Sequence, residues 1–300
     1  MSAQESRYHR AMTLRIVTDS TCVLPRDAIQ ALGITVVPLT ILFGDEELLD
    51  GIDIQSEQFF RRIERDPHMP TTAQPAPALF TRAYQRLVEE GATEILSIHL
   101  AHQLSGTLEA ARQGALAVEG ARIVHLDSTT VSLGLGIGVM EAAQAARAGV
   151  PLDIVRAQAE DRFRRTHIFV TLDTLEYLRR GGRMTRGQEW LGTLLKVKPV
   201  LSIQNGEVVP VGRVRTRQRA IEDIIARCAD LRPVEHLFVL HSTTPEESDY
   251  VRDRVAALDA TAPITIGRVT PVVGVHGGPG ILGVGVVTAP DAQTAALGGK

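Results

Sequence analysis

The stretch Thr93–Ala117, TEILSIHLAHQLSGTLEAARQGALA, decides how the chain is read. It opens with an apolar run, Ile95-Leu96-Ser97-Ile98-His99-Leu100, that suits a buried parallel strand. The run breaks at Leu104-Ser105-Gly106-Thr107 and continues in helix-forming Leu, Glu, Ala and Arg. A strand, tight loop and helix in that order bring unpaired backbone N–H groups and the positive end of a helix dipole to one point. A carboxylate or phosphate is stabilised there. From this segment alone, Ser105 reads more readily as a cap of the helix it precedes.

Working outward, strands and helices alternate through the first half. Leu14 to Thr18 is a strand ending in Asp19-Ser20-Thr21-Cys22, followed by a helix from Pro25 to Leu32 closed by Gly33. Ile34 to Leu42 reads as one further strand, with Pro38 marking an edge or an irregularity. Asp45 to Ile54 is acidic and turn-rich, Ser56 begins a helix, and Pro70-Thr71-Thr72-Ala73-Gln74-Pro75 reads as a loop before a helix over 76–90. Arg122 to Leu126 is a strand ending in Asp127-Ser128-Thr129-Thr130, and an Ala-rich helix runs to Ala148. This alternation predicts a Rossmann-like parallel α/β sheet with its hydroxyl-rich strand ends gathered on one edge, where such sheets bind ligands.

The second half changes character. Helices over 151–164 and 175–183, a hairpin signalled by Gln204-Asn205-Gly206, and a glycine-rich close at HGGPGILGVGVV describe an α+β domain with a mixed sheet. The boundary is placed near Gly149 to Pro151, giving domains at 14–150 and 151–290.

Composition narrows the class. Three hundred residues, 44 % hydrophobic and 22 % charged, fit a soluble two-domain protein, and a net charge of −3 offers no electrostatic case for nucleic acid. The polar N-terminus lacks the apolar core of a signal peptide, and no run approaches the ~18 apolar residues of a membrane span. Cys22 and Cys228 form no metal spacing. The expected location is the cytoplasm.

Several motifs fail. Gly134-x-Gly136-x-Gly138 lacks the dinucleotide spacing, and no phosphate-binding G-x-x-x-x-G-K-[ST] loop occurs. His99 and His102 have no carboxylate beside them and read as ordinary loop histidines, not a zinc pair. Alternating Arg213, Arg215, Arg217 and Arg219 lack interleaved aromatics and read as a solvated strand edge. A serine-hydrolase reading would use Ser105 with His276, but Gln103 stands where the nucleophile elbow needs glycine, and no orienting acid is evident. What survives is an inventory for holding a carboxylate: Thr72 and Ser105 as neutral donors beside helices, with Arg183 and Arg215 as nearby charges.

Seven motifs stand in order: Val17-Thr18-Asp19-Ser20-Thr21, Pro70-Thr71-Thr72-Ala73-Gln74-Pro75, Leu104-Ser105-Gly106-Thr107, Asp127-Ser128, Tyr177-Leu178-Arg179-Arg180-Gly181-Gly182-Arg183, Arg215-Thr216 and His276-Gly277-Gly278-Pro279-Gly280. Together they resemble the DegV family of fatty-acid-binding proteins, which includes the acyl-carrying subunit of bacterial fatty acid kinase. The resemblance runs from Leu14 to Val287. It implies one DegV-type unit with a long-chain fatty acid such as palmitate buried in the first domain. Thr72 and Ser105 would then bind the carboxylate, supported by Thr71, Gly106 and Thr107, with Arg183, Arg215 and His276 near the head group or facing a kinase. It further implies a separate ATP-dependent, dihydroxyacetone-kinase-like partner, no catalytic residue, metal or cofactor of the chain's own, and transient contact with a membrane surface. The chain departs from the family pattern at Ala73, often Ser, and at Gly277-Gly278, often Thr-Gly. The other readings are a lipid carrier or sensor without a kinase, and the serine acyl hydrolase above.

Overall fold

The computed structural model describes residues 13–184 and 197–290. The opening stretch becomes the centre of a four-stranded parallel sheet. Its strands are β1 (Leu14–Asp19), β2 (Thr35–Val37), β6 (Glu94–His99) and β7 (Arg122–Asp127), in the order β2-β1-β6-β7. Every residue of β6 is buried, because both sheet faces are covered. Side chains alternate with the strand's period of two. Ile95 packs with Phe80, Tyr84 and Leu87 of α3 (Pro77–Glu89) and with Ala110 and Ala111 of α4 (Thr107–Ala115). Leu96 and Ile98 pack the other way, against Leu135 and Val139 of α5 (Leu133–Arg147) and Val155, Ala159 and Phe163 of α6 (Leu152–Arg164). Thus α6, which follows Gly149–Pro151, contributes to the core of the parallel sheet. The glycines of 134–138 serve packing: a Cβ on Gly136 would stand 2.2 Å from the Val23 carbonyl oxygen, and one on Gly138 would stand 2.3 Å from the Phe163 ring.

The stretch Ile34 to Leu42, expected as one strand, is two strands in different sheets. Pro38 follows β2, and the chain then enters β3 (Thr40–Phe43), the middle of a three-stranded antiparallel sheet ordered β4-β3-β5. Its partners are β4 (Glu46–Leu49) and β5 (Thr71–Ala73), with Thr72 opposite Ile41. The expected loop between Pro70 and Pro75 therefore contains a strand. Three residues between two prolines carry no periodicity to reveal it. Helix α2 (Ser56–Ile63) covers this sheet, with Phe59 edge-on to Phe60 and near Phe43.

The second half forms a six-stranded mixed sheet ordered β10-β9-β8-β13-β11-β12. Its strands are β8 (Thr166–Thr171), β9 (Lys198–Gln204), β10 (Glu207–Val214), β11 (Val234–His241), β12 (Ile264–Arg268) and β13 (Leu282–Thr288). The β9–β10 hairpin turns at Asn205 and Gly206, both at positive φ, as the Asn-Gly signal requires. One face of this sheet is covered by α8 (Arg217–Ala229) and α9 (Pro245–Ala256) through Ile221, Ile224 and Val251. The other face turns towards the carboxyl edge of the parallel sheet. Two short helices, α7 (Glu176–Gly181) and α10 (Pro271–Gly277), close the space between.

Candidate functional site

A cavity lies where the three sheets meet. Thr21, Leu100, Leu104, Ser105, Gly106, Val131 and Ser132 line it from the loops that follow β1, β6 and β7. The strand ends thus gather on one edge, the position predicted for a ligand in an open parallel sheet. The apolar wall comes mainly from the mixed sheet and its connections: Ile168, Val170, Leu201, Ile203, Val208 and Leu240, with Val272 and Ile281. Whereas the resemblance places a tail inside the first domain, this cavity is built by both halves. It bounds about 1080 Å³ of empty space, its mouth included.

The polar groups are few and most collect at one end. Thr72, on β5, places Oγ1 2.9 Å from Nε2 of His276 in the last turn of α10. Burial, and then the nearby Arg183 guanidinium, push the His276 pKa down to about 4, so the imidazole is neutral at neutral pH. Its Nδ1 is buried without a partner and faces Gly181, where a Cβ would stand 2.2 Å away. Arg183 follows Gly182, the left-handed residue that ends α7. Its Nε donates to the Leu104 carbonyl at 3.2 Å and its Nη1 to the Gly181 carbonyl at 2.6 Å, which ties the α7 end to the loop carrying Ser105.

Ser105 Oγ lies 2.8 Å from Thr107 Oγ1 and accepts from the Thr107 N–H at 3.3 Å. The N-cap position of α4 belongs to Gly106, which has no side chain to cap with. Ser105 therefore steadies the first turn from one residue upstream while lining the cavity. Thr107 is fully buried. Thr71 is exposed, since it alternates with Thr72 along β5. Arg215 is exposed beyond the end of β10, outside the cavity lining, and Arg213 is likewise exposed.

No Ser–His–acid relay forms at Ser105 among the described residues: its hydroxyl bonds Thr107, while His276 bonds Thr72 and has no acid at Nδ1. A relay-like arrangement does occur elsewhere. Asp19 Oδ2 is 3.0 Å from His99 Nδ1, and His99 Nε2 is 2.7 Å from Ser97 Oγ, which meets Tyr84 OH at 2.8 Å. Asp19, His99 and Ser97 are completely buried, so no substrate reaches them. His99, which the sequence puts in the apolar strand run and also groups with His102 as a loop histidine, is the last residue of β6, and its ring is held by Asp19 and Phe80. Asp19 also accepts from Thr21 N–H and Oγ1–H, fixing Thr21 in the cavity wall. His102 turns instead to Asp127 at the surface. Among the described residues no cluster of His, Cys, Asp or Glu is suited to a metal, and no helix is long and apolar enough to cross a membrane.

Comparison with known proteins agrees with the architecture. The DegV family model matches residues 13–289. A DegV domain-containing protein of Streptomyces coelicolor is 39 % identical over 277 residues, covering 90 % of this chain and 96 % of that protein. The fatty-acid-binding DegV family protein of Thermus thermophilus superposes with a TM-score of 0.84 at 34 % identity, covering 93 % of this chain and all (100 %) of its own. DegV of Bacillus subtilis, a fatty acid binding protein, superposes with a TM-score of 0.84 at 27 % identity, covering 92 % of this chain and 99 % of its own. By the extent of these matches, the chain belongs to the DegV family.

Proposed function

We propose that the chain binds a long-chain fatty acid in this cavity and presents its carboxylate, held by Thr72 and Ser105, to a separate ATP-dependent kinase. The observation that carries the reading is the division of the cavity: a long apolar wall with hydroxyls, a neutral imidazole and a guanidinium at one end. That is the shape of an amphiphile. Burying about fifteen methylenes contributes roughly 12 kcal/mol at ~0.8 per group, before ordering costs. A pair of hydroxyl hydrogen bonds adds about 1–3 kcal/mol. The tail therefore sets affinity and the polar end sets orientation.

The head-group chemistry follows from the bond at Thr72. With the ring proton on Nε2, His276 donates to Thr72 Oγ1 and leaves the Thr72 O–H to donate to a carboxylate. Ser105 can turn its O–H from Thr107 to the same carboxylate, and Arg183 neutralises the charge from nearby. Arg215, exposed on the flank, is assigned to the kinase-facing surface. The fatty acid reading also accords with the binding named for the Thermus thermophilus relative.

The test separates binding from transfer. Ser105→Ala is expected to weaken fatty acid binding severalfold at most, and to lower acyl-phosphate formation by the added kinase much more. Binding is measured by calorimetry and transfer by ATP-dependent acyl phosphate. Abolished binding with normal transfer from the residual complex would contradict this division.

A further inference from the structure

Two buried side-chain atoms without a partner belong to residues that line the cavity, among the described residues: His276 Nδ1 at the head-group end, and Ser132 Oγ. Ser132 joins β7 to α5 and is 2 % exposed. Its backbone lies at φ 62, ψ −132, the mirror image of the extended region, which glycine enters freely and a residue with a Cβ does not. The Ser132 carbonyl accepts from Val23 N–H at 3.3 Å and Gly136 N–H at 3.0 Å, so its peptide group is held by two donors. Glycine would relieve the backbone, and alanine would remove the orphaned hydroxyl. Serine incurs both costs, with no protein atom to meet its Oγ.

Ser132 stands on a different connection from the three groups that meet at the carboxylate end, and the neighbouring Gly134 lies against Ile168 of the apolar wall. Thr72, Arg183 and His276 stand on β5, after α7 and on α10, whereas Ser132 bonds Val23, and the adjacent Leu133 packs beside Gly267 of β12. As a residue of the cavity wall, Ser132 is placed to meet the cavity's occupant. We propose that Ser132 forms a second polar subsite in the acyl region, which recognises an oxygen substituent, a hydroxyl or keto group, on the fatty acid tail. This rests on the fatty-acid reading and refines its substrate class. An unsubstituted chain leaves the Ser132 hydroxyl against methylenes. A chain with oxygen at the matching carbon completes a hydrogen bond in a low-dielectric site.

The experiment is competition binding to the delipidated full-length protein, with stearic acid and a panel of monohydroxystearic acids substituted at successive carbons. The expected profile is a peak at one position, about fivefold above the other members of the panel. Ser132→Ala and Ser132→Gly should flatten that peak while binding stearate at least as well as the unaltered chain. The glycine variant also relieves the backbone, so its melting temperature should rise, which guards against a folding artefact. A flat profile in the unaltered protein, or a peak that survives both substitutions, would overturn the subsite and leave the fatty-acid reading intact. Failure to bind stearate and every hydroxystearate would overturn that reading and the subsite with it.

Discussion

Asp50 and His276 show how burial sets a charge state residue by residue. Asp50 is 2 % exposed, accepts from Ser20 Oγ at 2.8 Å and leaves Oδ1 without a partner; burial pushes its pKa up to about 7. A carboxyl raised in this way binds more protons folded than unfolded between about pH 4 and 7, so its contribution to stability falls as pH rises through that window. His276, lowered to about 4, works in the opposite sense below about 6.5, where falling pH destabilises the fold. The two contributions oppose one another near pH 6.5, and above about pH 7.5 that of His276 has faded while Asp50 completes its titration. Asp50→Asn is expected to remove this falling contribution, so its stability relative to the unaltered chain grows as pH rises from about 6 to 8, as read by denaturant titration. An unchanged slope would contradict the assignment. Neither behaviour is legible in the sequence: Asp50 there is one acid in a turn-rich segment, and its burial comes from segments distant in the chain.

At the scale of elements, the most legible part is β6 and its following loop, because an unbroken apolar run before Ser-Gly-Thr states strand, turn and helix locally. The strand β5 is not legible, since three residues between prolines gain strand character only from pairing with β3. Of the residues the seven motifs single out, Thr72, Ser105, Arg183 and His276 line one cavity, and Arg215 stands outside its lining. They miss Ser132, whose signal is a backbone conformation, and the Asp19–His99–Ser97–Tyr84 chain, which exists only once β1, β6 and α3 are assembled. The contact between α7 and α10 is likewise tertiary. Gly181→Ala would drive a methyl into the His276 ring, and overpacking of this kind costs about 1–3 kcal/mol. The expected result is a lower melting temperature and weaker fatty acid binding than the unaltered chain, while Gly149→Ala, which strains a positive φ but meets open space around its Cβ, lowers stability and leaves binding unchanged. Equal binding by both variants would show that the α7 end does not position His276.

Across the whole molecule, the cavity is made by the edge of one sheet against the face of another, which is why neither half holds it alone. On α6, Arg162 bonds Glu141 of α5 and Glu235 of β11, each at 2.6 Å, and Arg165 also reaches Glu235 and the Thr288 carbonyl. These ion pairs clamp the two halves. Sequence periodicity gives each half its class, but the facing of one upon the other depends on which strand residues point inward. Val170 does so on β8, while its neighbour Phe169 packs towards α8 and α9. Val170→Phe should therefore shorten the accommodated chain, at about 0.8 kcal/mol for each methylene excluded. Affinity for a sixteen-carbon acid should drop while that for a twelve-carbon acid is retained. Equal loss for both would place Val170 away from the distal end of the tail, and no loss for either would place it outside the tail's path.

The central claim is that the cavity holds a fatty acid. Its most direct measurement is mass spectrometry of protein purified without added lipid, first native and then after solvent extraction. The account predicts a native mass exceeding that of the chain by one long-chain fatty acid, recovered in the extract at close to one per protein. A protein that is empty as isolated, and that takes up no fatty acid when it is supplied, would contradict it.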